Sequence, residues 1–118
     1  MKVYVGSRNA RHTMVVAMEE EGDSPHVWLD PRLDIANHSP TGLEWGYMGS
    51  GPSQLAIALI ADATGDDEIA KNRPLCQQFK RDVIAQLPMR EWILAQEFIV
   101  KYAESYLSEV PAWQRAEK

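Results

Sequence analysis

Reactive and shape-fixing residues concentrate in one stretch, His38-Ser39-Pro40-Thr41-Gly42-Leu43-Glu44-Trp45-Gly46-Tyr47-Met48-Gly49-Ser50-Gly51-Pro52. His38 beside Ser39 has the residue types of a base and a nucleophile, with Asp34 or Glu44 as the orienting carboxylate. Neighbours in an extended chain point to opposite sides, so His38 does not readily serve Ser39. The simpler reading bonds His38 to loop backbone and lets Ser39 and Thr41 satisfy turn groups, leaving no catalytic residue. Glu44 lies among aromatics and glycines; if buried it needs partners, and loop N–H groups could supply them. The run Gly46 to Gly51 ahead of a helix has the make-up of an anion site. Pro52 removes one donor, however, and no Lys-Ser/Thr pair follows, so it is not a P-loop. A tight helix entry is the favoured reading. The residues through which this loop would bind are His38, Thr41, Glu44, Trp45, Tyr47, Ser50 and Gln54.

His12, His26 and His38 show no metal-ligand spacing such as i, i+4, and the chain has one cysteine. No metal and no cofactor are expected. Cys76 falls on an apolar helical stripe and is most simply a core residue.

The elements that must hold this loop follow from patterning. Val3–Val5, Thr13–Met18 and Val27–Leu29 are β-prone runs separated by turn residues, which predicts a three-stranded antiparallel meander. Trp92-Ile93-Leu94 could add an edge strand. Glu19, Glu20, Glu21 and Asp23 mark a solvated hairpin tip that could also face a basic partner.

Pro52 near the start and Gly65 at the end bracket an almost wholly apolar helix, which should be buried. Gly51 would be its N-cap, with Gln54 reaching back toward the cap. Asp66-Asp67-Glu68 opens a further helical turn. Pro74 interrupts it or begins a new helix, in which Leu75, Phe79, Val83 and Leu87 form a stripe widened by Cys76 and Ile84, and Lys80, Arg81, Asp82 and Gln86 face away. Pro88 ends it. A last helix carries Phe98, Ile99, Tyr102, Ala103, Tyr106 and Leu107 on one face. Leu43, Trp45 and Tyr47 alternate and could share one face of a short extended stretch, with Glu44 opposite.

The expectation is therefore an α+β fold, an N-terminal antiparallel meander of three or four strands packed on three helices. Residues 1–110 form one domain and 111–118 a loose tail. A chain of 118 residues supports one core. Its net charge of -5 disfavours a direct grip on nucleic acid and suits a protein partner with a basic surface. Leu55 to Ala61 is the longest apolar run, too short to span a bilayer, and no signal region is visible, so a cytoplasmic protein with no membrane contact is expected. Composition leaves the oligomeric state open.

The segment from Asn37 to Ala63, followed by Phe79-Lys80-Arg81-Asp82-Val83 through Leu87-Pro88 and by Trp92-Ile93-Leu94, resembles a small family of uncharacterised proteins. Its hallmark is an H-S-P-T-G-F-E-W-G-Y-x-G-S-G-P-x-Q-L-A loop and helix. This chain has Leu43 where the pattern has Phe, and Asn72-Arg73-Pro74 where the family runs a continuous helix. The resemblance implies a distribution over bacteria, archaea and mobile elements, and no reaction. Two functions follow as expectations. The first is a non-enzymatic protein-binding or regulatory module, in its sharpest form an anti-CRISPR-like inhibitor of a host nucleic-acid machine. The second is a small ligand-binding protein or enzyme with its site at the His38–Gly51 loop. A concave site with convergent polar groups favours the second, and a flat loop packed on the buried helix favours the first.

Overall fold

A computed structural model describes residues 1–21, 25–40 and 42–109. Asp23, Thr41 and the 111–118 tail, all named above, lie outside the described residues.

The β-prone runs become strands β1 (Lys2–Arg8), β2 (Thr13–Glu19) and β3 (Val27–Trp28). β4 (Trp92–Ala95) joins them, giving a four-stranded antiparallel sheet in the order β3-β2-β1-β4. The helices are α1 (Ser50–Thr64), α2 (Asp67–Ala70), α3 (Arg73–Asp82) and α4 (Gln96–Glu109), with a 3-10 turn at Ile84–Gln86. The fold is α+β.

Strand alternation divides the sheet into two faces. Lys2, Tyr4, Gly6, Arg8, Thr13, Val15, Ala17, Trp92 and Leu94 share the inner face. Tyr4 donates its hydroxyl to Asp62 of α1 at 2.6 Å, and Lys2 pairs with the same carboxylate at 2.7 Å. The indole of Trp92 lies over Gly6, where a Cβ would collide with the ring. α1 is buried along nearly its whole length, and α3 and α4 pack against it. Gly65 ends α1 in the left-handed region at φ 66°, donating to the Ala61 carbonyl.

Four local expectations are corrected. The N-cap of α1 is Gly49, not Gly51: the Gly49 carbonyl accepts from the Ser53 N–H and hydroxyl. Pro52 thus stands third in the helix, where no N–H is required. α3 does not run to Pro88. Asn72 caps its start, accepting from the Leu75 N–H, and it ends at Asp82, with the 3-10 turn carrying Ile84 into the core. Lys80 does not face away. It is buried, and its ammonium donates to the Ser53 hydroxyl at 3.0 Å. Phe98 is exposed; the buried residues of α4 are Ile99 and Ala103.

Candidate functional site, a cleft beside the glycine-rich loop

No strand forms from Leu43 to Tyr47, and the three apolar residues there do not share a face. Trp45 is fully buried, Leu43 half-buried, and Tyr47 46% exposed. Gly46, at φ 85°, turns the chain between Trp45 and Tyr47 and sends the second ring outward. Trp45 packs edge-on against Trp92, with ring centroids 5.4 Å apart, and donates its indole N–H to the Met89 carbonyl. The Arg8 guanidinium lies 4.9 Å from the Trp45 ring centroid and binds both carboxylate oxygens of Glu44, at 2.7 and 3.3 Å. The partner of Glu44 is therefore a side chain from the sheet, not the loop N–H groups expected. Glu44 also presses on α1: a Cβ on Gly51 would lie 2.6 Å from the Glu44 Cβ.

Gln54 does not reach its helix cap. Its fully buried amide accepts from the N–H groups of His38 (2.8 Å) and Ser39 (3.3 Å) and donates to the carbonyls of Pro31 (2.6 Å) and Ala36 (2.9 Å). Sequence reasoning picked Gln54 as a binding residue; the structure makes it the clamp of the 31–39 segment. Ser39 donates its hydroxyl to the Gly42 carbonyl at 2.8 Å. Asp34, the other candidate orienter, is paired with Arg32, which also binds Asp67. Hydrogen bonds from Arg32 hold both carboxyls below the usual range.

Above this scaffold the loop forms one wall of an open cleft of about 580 Å³. Ser39, Glu44, Tyr47 and Ser50 line that wall. The other is built from Arg11, His12, Thr13 to Val15, and Trp28. Trp45 and Gln54 lie beneath in the core, and His38 opens on a separate, smaller pocket beside Arg73 and Cys76. Arg11, His12 and Trp28 were missed as site residues. The only available signal was the turn position of the first two, which carries no distance to a loop thirty residues on.

The acidic tip is remote from this cleft. Thr13 starts β2 at the cleft end, and Glu19, Glu20 and Glu21 lie exposed at the other. Glu19 there pairs with the Met1 amino group at 3.2 Å.

A family model described as "Family of unknown function (DUF6166)" matches residues 4–105, from β1 to the last turns of α4. The chain belongs to this family. The match takes in the whole glycine-rich loop, both walls of the cleft and the Gln54 clamp. No curated protein and no solved structure matches the chain. Among the described residues no helix is long and apolar enough to cross a membrane, and no cluster of three or more His, Cys, Asp or Glu could hold a metal ion.

Cys76 behaves as the core residue its stripe position suggested. It is buried, its thiol donates to the Ala70 carbonyl, and burial pushes its pKa up to about 12. At pH 8 the buried thiol is therefore far less ionised than a free cysteine. The native protein is expected to react with a thiol reagent such as dithiobis(nitrobenzoate) far more slowly than the urea-unfolded chain. Equal rates would show that α3 opens readily.

Proposed function

We propose that this chain is a non-enzymatic protein-binding module that receives an extended segment of its partner in the cleft. The observation that carries this reading is an open strand edge within the cleft. β3 pairs with β2 only at Val16 and Ala17, and the Leu29 N–H adds one bond to the Val15 carbonyl. Alternation turns the N–H and C=O of Thr13 to the same side as those of Val15, beyond the end of β3 and into the cleft. A strand edge flanked by exposed aromatics, here Trp28 and Tyr47, is the geometry by which extended peptides add to a sheet. Arg11 and His12 favour an acidic segment, since Glu44 is already neutralised by Arg8. The groups that suggested catalysis serve the fold instead: Ser39 holds Gly42, and Glu44 holds Arg8.

The finer expectation, an inhibitor that meets the basic surface of a host nucleic-acid machine, would use the exposed Glu20 and Glu21 at the other end of β2. Capture from the native host's lysate separates the two. A partner held by the wild type and by Glu20→Lys/Glu21→Lys, but lost with Tyr47→Arg, supports the cleft. Loss only on reversing the acidic residues moves the contact to that end, and retention by both variants refutes both sites.

The concavity favours a second reading. A volume of about 580 Å³ lies within the range of small-ligand pockets. A rise in Tm with a small anionic metabolite, abolished by Arg11→Ala, would establish it.

Direct binding of nucleic acid is not expected. Of the neighbouring cations Lys71, Arg73, Lys80 and Arg81, which could have formed a basic patch, Lys80 is taken into the core. A gel shift with duplex and single-stranded DNA at about 0.15 M salt should show no complex. Micromolar binding that weakens steeply with salt would overturn this expectation.

A further inference from the structure

The outer face of the sheet is apolar and partly open: Val3 is buried, Val5, Met14, Val16, Met18 and Ala95 are half-buried, and Trp28 and Ile93 are exposed. Opposite the inner set, β1 presents Val3, Val5 and Ser7, β2 presents Met14, Val16 and Met18, β3 presents Trp28, and β4 presents Ile93 and Ala95. Among these side chains none is charged and one, Ser7, is polar. Register sets Trp28, Val16, Val5 and Ile93 in a single row across all four strands. The ends of that row stand open, with Trp28 67% and Ile93 68% exposed. The helices are gathered on the inner face. A half-buried sheet ordinarily alternates apolar with polar, so a second apolar face needs its own cover.

We infer that a second copy of this chain covers this face, in a two-fold dimer whose β2 strands cross in opposite directions. Two observations select that occupant, and one sets how far the contact must extend. First, each chain carries a net charge of -5, so two copies repel through most of their surfaces and can meet best where no charge lies. An uncharged face is complementary to itself, as a two-fold interface requires.

Second, the face alone is too small. The four strands hold 7, 7, 2 and 4 residues, so at about 3.4 Å per residue and about 4.8 Å between strands the face projects about 330 Å², against about 800 Å² per partner for a stable interface. The flanking hairpin ends must therefore take part.

Third, those ends carry opposite charge. Exposed Arg11, His12, Arg90 and Glu91 lie at the end where Arg8 meets Met89; exposed Glu20 and Glu21, with Glu19 paired to the Met1 amino group, lie at the other. Two sheets can stack face to face with strands roughly parallel or roughly antiparallel. The parallel arrangement sets Arg11 on Arg11 and carboxylates on carboxylates. The antiparallel one lays Arg11 and His12 of each copy over Glu20 and Glu21 of the other, twice by symmetry; Arg11, His12 and Trp28 also line the cleft, so this dimer and an occupied cleft compete for them.

Sedimentation velocity from about 1 to about 100 μM tests this on the full chain. The wild type is expected to dimerise in that range. Ile93→Asp should weaken association at least about 100-fold, because two carboxylates would be buried on the axis-related faces. Ile93 is exposed in the single chain, so a native circular dichroism spectrum is expected and separates lost association from lost folding. Arg11→Glu alone should weaken the dimer about 3- to 10-fold, and adding Glu20→Arg and Glu21→Arg should restore it. A wild type that stays monomeric at about 100 μM overturns the proposal, as does an Ile93→Asp variant that associates normally. Failure of the triple variant to recover overturns the antiparallel arrangement.

Discussion

Trp45→Ala is expected to destabilise the protein by about 3–5 kcal/mol, the range for truncating a fully buried aromatic. Three further interactions argue for the upper half of that range. The edge-on contact with Trp92 goes, and such pairs contribute about 0.5–1.5 kcal/mol beyond burial. The Met89 carbonyl loses its indole donor. Arg8 loses the ring it lies over, although its bond to Glu44 persists. Trp45→Phe separates these contributions: it keeps most of the apolar volume and loses the hydrogen bond, so a loss of about 1–2 kcal/mol is expected. Urea unfolding at equilibrium measures both variants. A Trp45→Ala protein with wild-type stability that no longer captures its partner would make the ring a contact residue and contradict its place in the core.

The distinction between core and surface in this loop was only partly legible in the sequence. Alternation of Leu43, Trp45 and Tyr47 marked an apolar loop next to a buried helix, and that much holds. Alternation also assumes continuous extended backbone. A single glycine at φ 85° breaks the assumption, and no residue type announces which of four glycines will turn. The sheet was easier, because turn residues and β-branched runs repeat their signal locally, and even the edge strand at Trp92 could be read. Lys80 was misplaced for a different reason. A long amphipathic side chain can run its methylenes through apolar packing and reach a buried hydroxyl, here Ser53 some 27 residues away, which helical spacing does not encode. The Arg8–Glu44 pair and the far wall of the cleft are likewise tertiary facts. The outer face of the sheet is an intermediate case. Val3-Tyr4-Val5 and Met14-Val15-Val16-Ala17-Met18 are apolar on both sides of the strand, a pattern that signals cover on both faces. In the sequence these runs read only as β-prone; it took the register to show that their second faces form one apolar surface.

Gln54→Leu is the second substitution expected to have a large effect, about 3 kcal/mol or more. The side chain is fully buried and similar in volume to leucine, so packing changes little and hydrogen bonding changes completely. The wild-type amide satisfies the His38 and Ser39 N–H groups and the Pro31 and Ala36 carbonyls. Leucine leaves all four without that partner, and each buried orphan costs about 1–3 kcal/mol. Water can enter a half-buried loop and recover part of the loss, which sets the estimate well below the sum. Local strain adds to the effect. Arg32 adopts φ 56°, in the left-handed region disfavoured for a side-chain-bearing residue, and the adjoining Pro31 carbonyl is one of the groups Gln54 holds. Gln54→Glu tests the same clamp without changing shape. It keeps an acceptor for the two N–H groups but sets an oxygen against the two carbonyls that had a donor. Its stability should rise as pH falls through the carboxyl's own titration, because the protonated acid regains one donor. Hydrogen exchange locates the effect: the His38 and Ser39 amides should lose protection in Gln54→Leu while the α1 amides keep theirs. If those two amides stay protected and the urea midpoint is unmoved, the loop is held by its own turns, and Gln54 is not its clamp.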